Sequence, residues 1–180
     1  MFFVITKDIC EFFCRYIGQG SKVAFIVFLV FLISGIFYIR WNNKSCQFYA
    51  VLIIKSIFVS LLIVYIYVVA GITLLSRDQD YDSHVNLLIF STFCDPLIEK
   101  KYIYENILML VPFAMLLFIL AKPFRNIYIS MLTGFIFSLL IEIIQFFTNL
   151  GSFIIDDLLT NTLGMLIGFL LCKIIEIFVK

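Results

Sequence analysis

Apolar residues in this chain come in long unbroken blocks. Five stand out: residues 23–39, 48–75, 107–121, 127–147 and 158–179. A helix needs about 20 mostly apolar residues to cross the hydrocarbon of a bilayer. The blocks are continuous, unlike the alternating segments of about ten residues that membrane barrels use. Inside hydrocarbon every backbone N–H and C=O needs an internal partner, which a helix supplies from its own chain. The pattern therefore predicts an all-α polytopic membrane helical bundle of about five transmembrane helices. Lys55 sits near the start of the second block, where its long stem can carry the ammonium toward the headgroups. Pro112 removes one helical hydrogen bond from the third block and predicts a bend there. Arg40 and Trp41 follow the first block and suit a membrane–water interface. Residues 1–22 are apolar but interrupted by Lys7, Asp8, Glu11 and Arg15, and predict an amphipathic interfacial helix. No small-residue cleavage pattern follows the first block, so it reads as a retained helix. The predicted organisation is an interfacial segment at 1–22, two N-terminal spans within 23–72 and a membrane core at 73–180.

Composition sharpens this reading. The chain has 180 residues, of which 63% are hydrophobic and 14% charged, with a mean hydropathy of +1.12. A soluble fold is nearer half apolar with about a quarter of its residues charged, so the bilayer itself is the first partner. A formal net charge of +1 argues against nucleic acid, which needs a basic face. The five cysteines (Cys10, Cys14, Cys46, Cys94 and Cys172) are odd in number and form no C-x-x-C. They read as small apolar side chains. The acidic run from Asp78 to His84 begins like a calcium loop, but Ser83 stands where the turn glycine belongs and Ile89 where the closing glutamate belongs. No metal and no cofactor are expected.

Lys and Arg placement sets topology. Arg40, Lys44, Lys122, Arg125, Lys173 and Lys180 fall on one side of the predicted spans. The loops at 76–105 and 148–157 fall on the other, and they carry Asp78, Asp80, Asp82, Asp95, Glu99, Glu105, Asp156 and Asp157. That side also holds Lys7, Arg15 and Lys22 of the N-terminus, so the Lys and Arg tally is nearly balanced. The acids of the long loop and the lack of Lys or Arg at 148–157 then put both loops and the N-terminus outside and the C-terminus inside.

Two spans carry polar stripes. Residues three and four apart share a helix face, so Gly134, Ser138, Glu142 and Gln145 align on the fourth span. A carboxylate at membrane depth costs a few kcal/mol on insertion scales, at least about 2.5, and favours a bundle interior, although Glu142 could also reach water from the helix end. On the fifth span, Asp157, Asn161, Gly164 and Gly168 align. Gly164 and Gly168 form a GxxxG, which permits close helix contact. Asp156 and Asp157 in a first helical turn are also explained by the helix dipole and by capping. A loop of about ten residues makes these two spans antiparallel neighbours, so the two stripes are expected to face each other as one polar seam.

These residues, in this order, resemble the VanZ-like family of bacterial membrane proteins. The likeness runs through Thr73-Leu74-Leu75-Ser76-Arg77, then Asn86-Leu87-Leu88-Ile89-Phe90, then Asn106-Ile107 leading to Pro112-Phe113-Ala114. It continues with Glu142 and Gln145, and ends with Asp156-Asp157, Asn161-Thr162-Leu163-Gly164 and Gly168. The family pattern usually has Pro where Ile89 stands and Gly where Ala114 stands. It also carries an Arg and an earlier Asp shortly before the Asp-Asp pair, where this chain has Gly151-Ser152-Phe153-Ile154-Ile155. The resemblance makes Arg77, Asn86, Asn106 and Pro112 family-motif residues. It implies a multi-pass protein of the bacterial cytoplasmic membrane, and its namesake is associated with low-level resistance to teicoplanin.

Three functional classes fit. The first is a non-enzymatic envelope protein that alters how lipoglycopeptides meet the outer membrane face. The second is an enzyme acting on a lipid-linked cell-wall precursor, with Glu142, Asp156 and Asp157 as acid–base groups. The third is a small proton-coupled transporter with Glu142 as its coupling carboxylate. The absence of nucleophile and metal motifs favours the first.

Overall fold

The computed structural model describes isolated positions between 22 and 36 and residues 46–75, 84–93 and 97–179. The interfacial segment at 1–22, the first span at 23–39 as a unit, Arg77 and the acidic run from Asp78 lie outside the described residues.

Among the described residues, four helices are long and apolar enough to cross a membrane, with spans at Val51–Leu74, Tyr102–Leu120, Ile127–Phe147 and Ile155–Val179. Helix α1 covers Cys46–Ala70 and continues as a π-helical turn over Gly71–Leu75. Helix α2 covers Leu97–Leu120, and a 3-10 turn at Lys122–Arg125 leads into α3, Ile127–Phe147. Helix α4 covers Ile155–Val179. This is the expected all-α membrane bundle. One detail differs from expectation. The loop predicted at 76–105 is shorter, because helix α2 begins at Leu97 and carries Glu105 and Asn106 on its early turns. Pro112, where the third block was expected to bend, lies inside α2. The half-buried Tyr65 hydroxyl on α1 donates to the Met109 carbonyl, which ties α1 to α2 just before the proline.

Helix ends explain the turns between spans. Asn126 caps α3, its Oδ1 accepting from the N–H groups of Tyr128 at 2.9 Å and Ile129 at 3.5 Å. At the other end of α3, Leu150 N–H donates to the Gln145 carbonyl and Asn149 N–H to that of Phe146, with Asn149 at φ 54°. That is a Schellman closure with asparagine in the left-handed position, which asparagine tolerates better than most residues.

Helices α2 and α4 both start at the same end of the bundle, so they run parallel, with α3 antiparallel to both. The α2–α4 pair is the most extensive interface. A Cβ on Gly164 would collide with the Ile107 carbonyl of α2. One on Gly168 would collide with the Val111 carbonyl and come within 2.8 Å of the Ala114 Cβ. The GxxxG face therefore packs on α2. This corrects the expectation that Gly164 and Gly168 face Ser138, Glu142 and Gln145. The reason is angular: three residues along a helix turn it by about 300°, so Gly164 points about 60° away from Asn161. Asn161 lies on the α3 side of the stripe and Gly164 on the α2 side. The core fills in around this contact with Leu110, Phe113, Ala114, Leu117 and Met165.

Adding one methyl at Gly164 should force α2 and α4 apart along their whole length. Gly164→Ala is expected to lose about 1–3 kcal/mol, the usual cost of overpacking. Asn161→Ala should lose less, since interhelical polar contacts in membranes average about 0.6 kcal/mol. Thermal unfolding of the purified variants in detergent orders the two; equal stability of Gly164→Ala and the parent would refute the close approach.

Candidate functional site

The loops before α2 and before α4 meet at one end of the bundle. Two short strands, β1 (Val85–Asn86) and β2 (Phe153–Ile154), pair in parallel with Val85 opposite Phe153 and Asn86 opposite Ile154. Continuous apolar blocks gave no sign of this pair. Ser152 adds to the stitch: its Oγ accepts from the His84 N–H at 3.2 Å and lies 3.1 Å from His84 Nδ1. The two acid-bearing loops thus share one end, as the topology reading required.

Asp156 is the anchor of this junction. It is fully buried. Its Oδ1 accepts from the Phe90 N–H at 2.7 Å, and its Oδ2 accepts from the Thr92 N–H at 2.9 Å, the Thr92 hydroxyl at 2.8 Å and the Ser91 hydroxyl at 3.3 Å. It also occupies the first turn of α4, where the helix dipole favours a negative charge. The loop is shaped to reach it. Ser91 N–H donates to the Leu88 carbonyl, closing a four-residue turn in which Phe90 sits at φ 65°. Left-handed backbone is disfavoured for a bulky residue, and the bond from Phe90 N–H to the carboxylate offsets that cost. Asn86 shapes the approach, its Oδ1 accepting from Leu88 N–H at 3.0 Å and its Nδ2 donating to Ser91 Oγ at 3.1 Å.

The α3 stripe lies below this loop, and all of it is buried. Gly134 accepts the Met165 side chain of α4, whose Cγ would lie 2.6 Å from an added Cβ. Ser138 Oγ accepts from Asn161 Nδ2 at 2.8 Å, so this part of the seam joins α3 to α4 as expected. Glu142, only 2% exposed, does not reach out to water; its Oε2 accepts from the Ile154 N–H at 3.0 Å. Gln145 turns instead to α1, its Nε2 donating to the Thr73 carbonyl at 2.9 Å. That carbonyl lies in the π-helical turn, where the widened helix leaves room for an outside donor. The seam is therefore three-sided, tying α1, α3 and α4 together, while Gly164 and Gly168 pack against α2.

The structure brings together Glu142, Asp156, Asn86, Gln145 and Asn161 around one end of the bundle. Asp157 lies half-buried beside Asp156, and Asn106 half-buried beside the Ile107 carbonyl that Gly164 meets. The residues that sequence reasoning passed over are Ser91 and Thr92, which hold the anchor, and Thr73, which takes the Gln145 amide. A serine and a threonine right after an apolar turn were the available signal. Among the described residues no group of His, Cys, Asp and Glu could hold a metal ion.

Both Asp156 oxygens face backbone N–H groups. Asp156→Asn must therefore turn an NH₂ toward an N–H in either rotamer, and is expected to cost about 1–3 kcal/mol. Ile89 occupies the second position of the Leu88–Ser91 turn, which proline favours when the third residue has positive φ. Ile89→Pro should stabilise the protein by about 0.4–1 kcal/mol. Thermal unfolding of both variants checks the opposite signs; a neutral Asp156→Asn would show that the carboxylate does not hold the loop.

The VanZ/LLP1 family model matches residues 61–176. No curated protein and no solved structure matches the chain. The match takes in α2, α3, both short strands, most of α4 and the C-terminal part of α1. It covers well over half of the sequence, and this chain belongs to the VanZ/LLP1 family.

Proposed function

We propose that this protein is a non-enzymatic component of the bacterial cytoplasmic membrane that lowers susceptibility to lipoglycopeptides such as teicoplanin at the outer membrane face. The observation that carries this reading is how Asp156 is used. Its two oxygens accept from two backbone N–H groups and two hydroxyls of the chain's own loop. A general acid or base needs a carboxyl free to exchange its proton with a reacting group. Asp156 instead fixes the shape of the surface that an amphiphile in the outer leaflet would meet. That surface is apolar, and a lipid-tailed glycopeptide would approach it from within the membrane.

The reading requires the β1–β2 end to face outward, in line with Lys122, Arg125 and Lys173 at the opposite end. Single cysteines at Ser152 and Phe124, each in a cysteine-free chain, should separate on whole cells: an impermeant thiol reagent labels the first and spares the second. The reverse pattern inverts the protein. Expression in a susceptible Gram-positive host should raise tolerance to teicoplanin more than to vancomycin, because only teicoplanin carries a lipid tail. An unchanged dose response to both drugs, with the protein present in the membrane, counts against the function. Glu142→Gln keeps shape and hydrogen-bonding capacity, so a folded variant that loses tolerance would shift the reading toward proton transfer or catalysis.

A further inference from the structure

The loop that Asp156 anchors shows an unusual face. Val85, Leu87, Leu88, Ile89 and Phe90 are each more than half exposed, Leu88 the most at 73%. The segment from Val85 to Phe93 carries no charged side chain. In water such a run would be an exposed apolar patch, which soluble surfaces avoid.

Its backbone is prepared for a different solvent. Val85 and Asn86 are paired with β2, and the Leu88 N–H is taken by Asn86 Oδ1. The Phe90 and Thr92 N–H groups are taken by Asp156, and the Ser91 N–H by the Leu88 carbonyl. Irregular backbone cannot enter hydrocarbon with its polar groups open, and here most of the donors are closed internally. Depth follows from Asp156. It lies in the first turn of a 25-residue helix, which at about 1.5 Å per residue is longer than the hydrocarbon core. The loop bonded to it therefore lies within a turn of the hydrocarbon edge. Tyr102 and Tyr104, both exposed at this same end, are of the aromatic type that favours that level.

We propose that residues 85–90 form a membrane wedge: a non-helical loop whose apolar side chains are buried at the headgroup–acyl boundary of the leaflet on the β1–β2 side. Lipid is its occupant, because the face is continuous with the exposed apolar sides of the spans and most of its backbone donors are closed internally. The wedge stands independently of any effect on drugs.

The chain contains one tryptophan, Trp41, so a Trp41→Phe background gives a clean probe. Leu88→Trp, and separately Ile89→Trp, would be reconstituted in phosphatidylcholine vesicles with and without acyl chains brominated near the glycerol. A side chain about 5–10 Å into the boundary meets those bromines, and its emission should fall at least about twofold. Acrylamide in the water should quench it weakly. Strong acrylamide quenching without bromolipid quenching would put the loop in water and overturn the wedge. Quenching by neither would mean that protein covers the loop, a second copy included, and would overturn it equally. Thermal unfolding matching the Trp41→Phe parent shows that each probe variant is folded, and either folded variant decides the outcome.

Discussion

The membrane-embedded part of this fold depends on closing backbone polar groups without water. Helices do most of this by themselves. The difficult places are those where helices end, and there the chain spends its few polar residues. Asp156 closes the loop before it, Asn126 closes the start of α3, and Gln145 closes a carbonyl of the π-helical turn after α1. The charge-assisted bonds to Asp156 are of the stronger sort, roughly 1.5–3 kcal/mol each when intact. They let one carboxylate organise a loop of irregular shape.

This division of labour separates the two ends of the bundle. At the β1–β2 end, the carboxylates of Asp156 and Glu142 are buried and accept from backbone N–H groups. At the other end, charged groups are partly exposed and paired with each other. Glu176 meets Lys173 at 2.9 Å and Arg125 at 3.6 Å, and both cations lie 5.4 Å from the centre of the Phe118 ring. Exposed pairs of this kind contribute little, about 0–1 kcal/mol, but they hold the turn into α3 close to the end of α4. One end is a structured lid and the other a solvated clasp.

The spans were legible from the sequence because hydrophobic length is a direct physical requirement. The α3 boundaries at Ile127 and Phe147 follow from the apolar block alone. Helical spacing put Ser138, Glu142 and Gln145 on one face, but it did not choose between bundle interior and water for Glu142, which the structure buries. What spacing could not show was the partner of each face. Gly164 and Asn161 share a stripe on a helical wheel, yet the small angle between them sends one to α2 and the other to α3. The start of α2 was hidden because Glu99, Lys100, Lys101 and Glu105 make its first turns polar, and a hydropathy block begins only after them. The β1–β2 pair was hidden because it joins residues far apart in sequence over two positions only. The role of Ser91 and Thr92 was hidden for the same reason: their partner lies in another helix.

The parallel contact between α2 and α4 also has a consequence for how the protein is made. Its tightest interface joins α2 to α4, so it cannot form until α4 has left the ribosome and entered the bilayer. Until then, the carbonyls of Ile107 and Val111 face no glycine, Ser138 lacks Asn161, and the loop around Phe90 has no carboxylate to close on. Helices α2 and α3 must wait in the membrane as an incomplete assembly, and α4 acts as the latch that closes it.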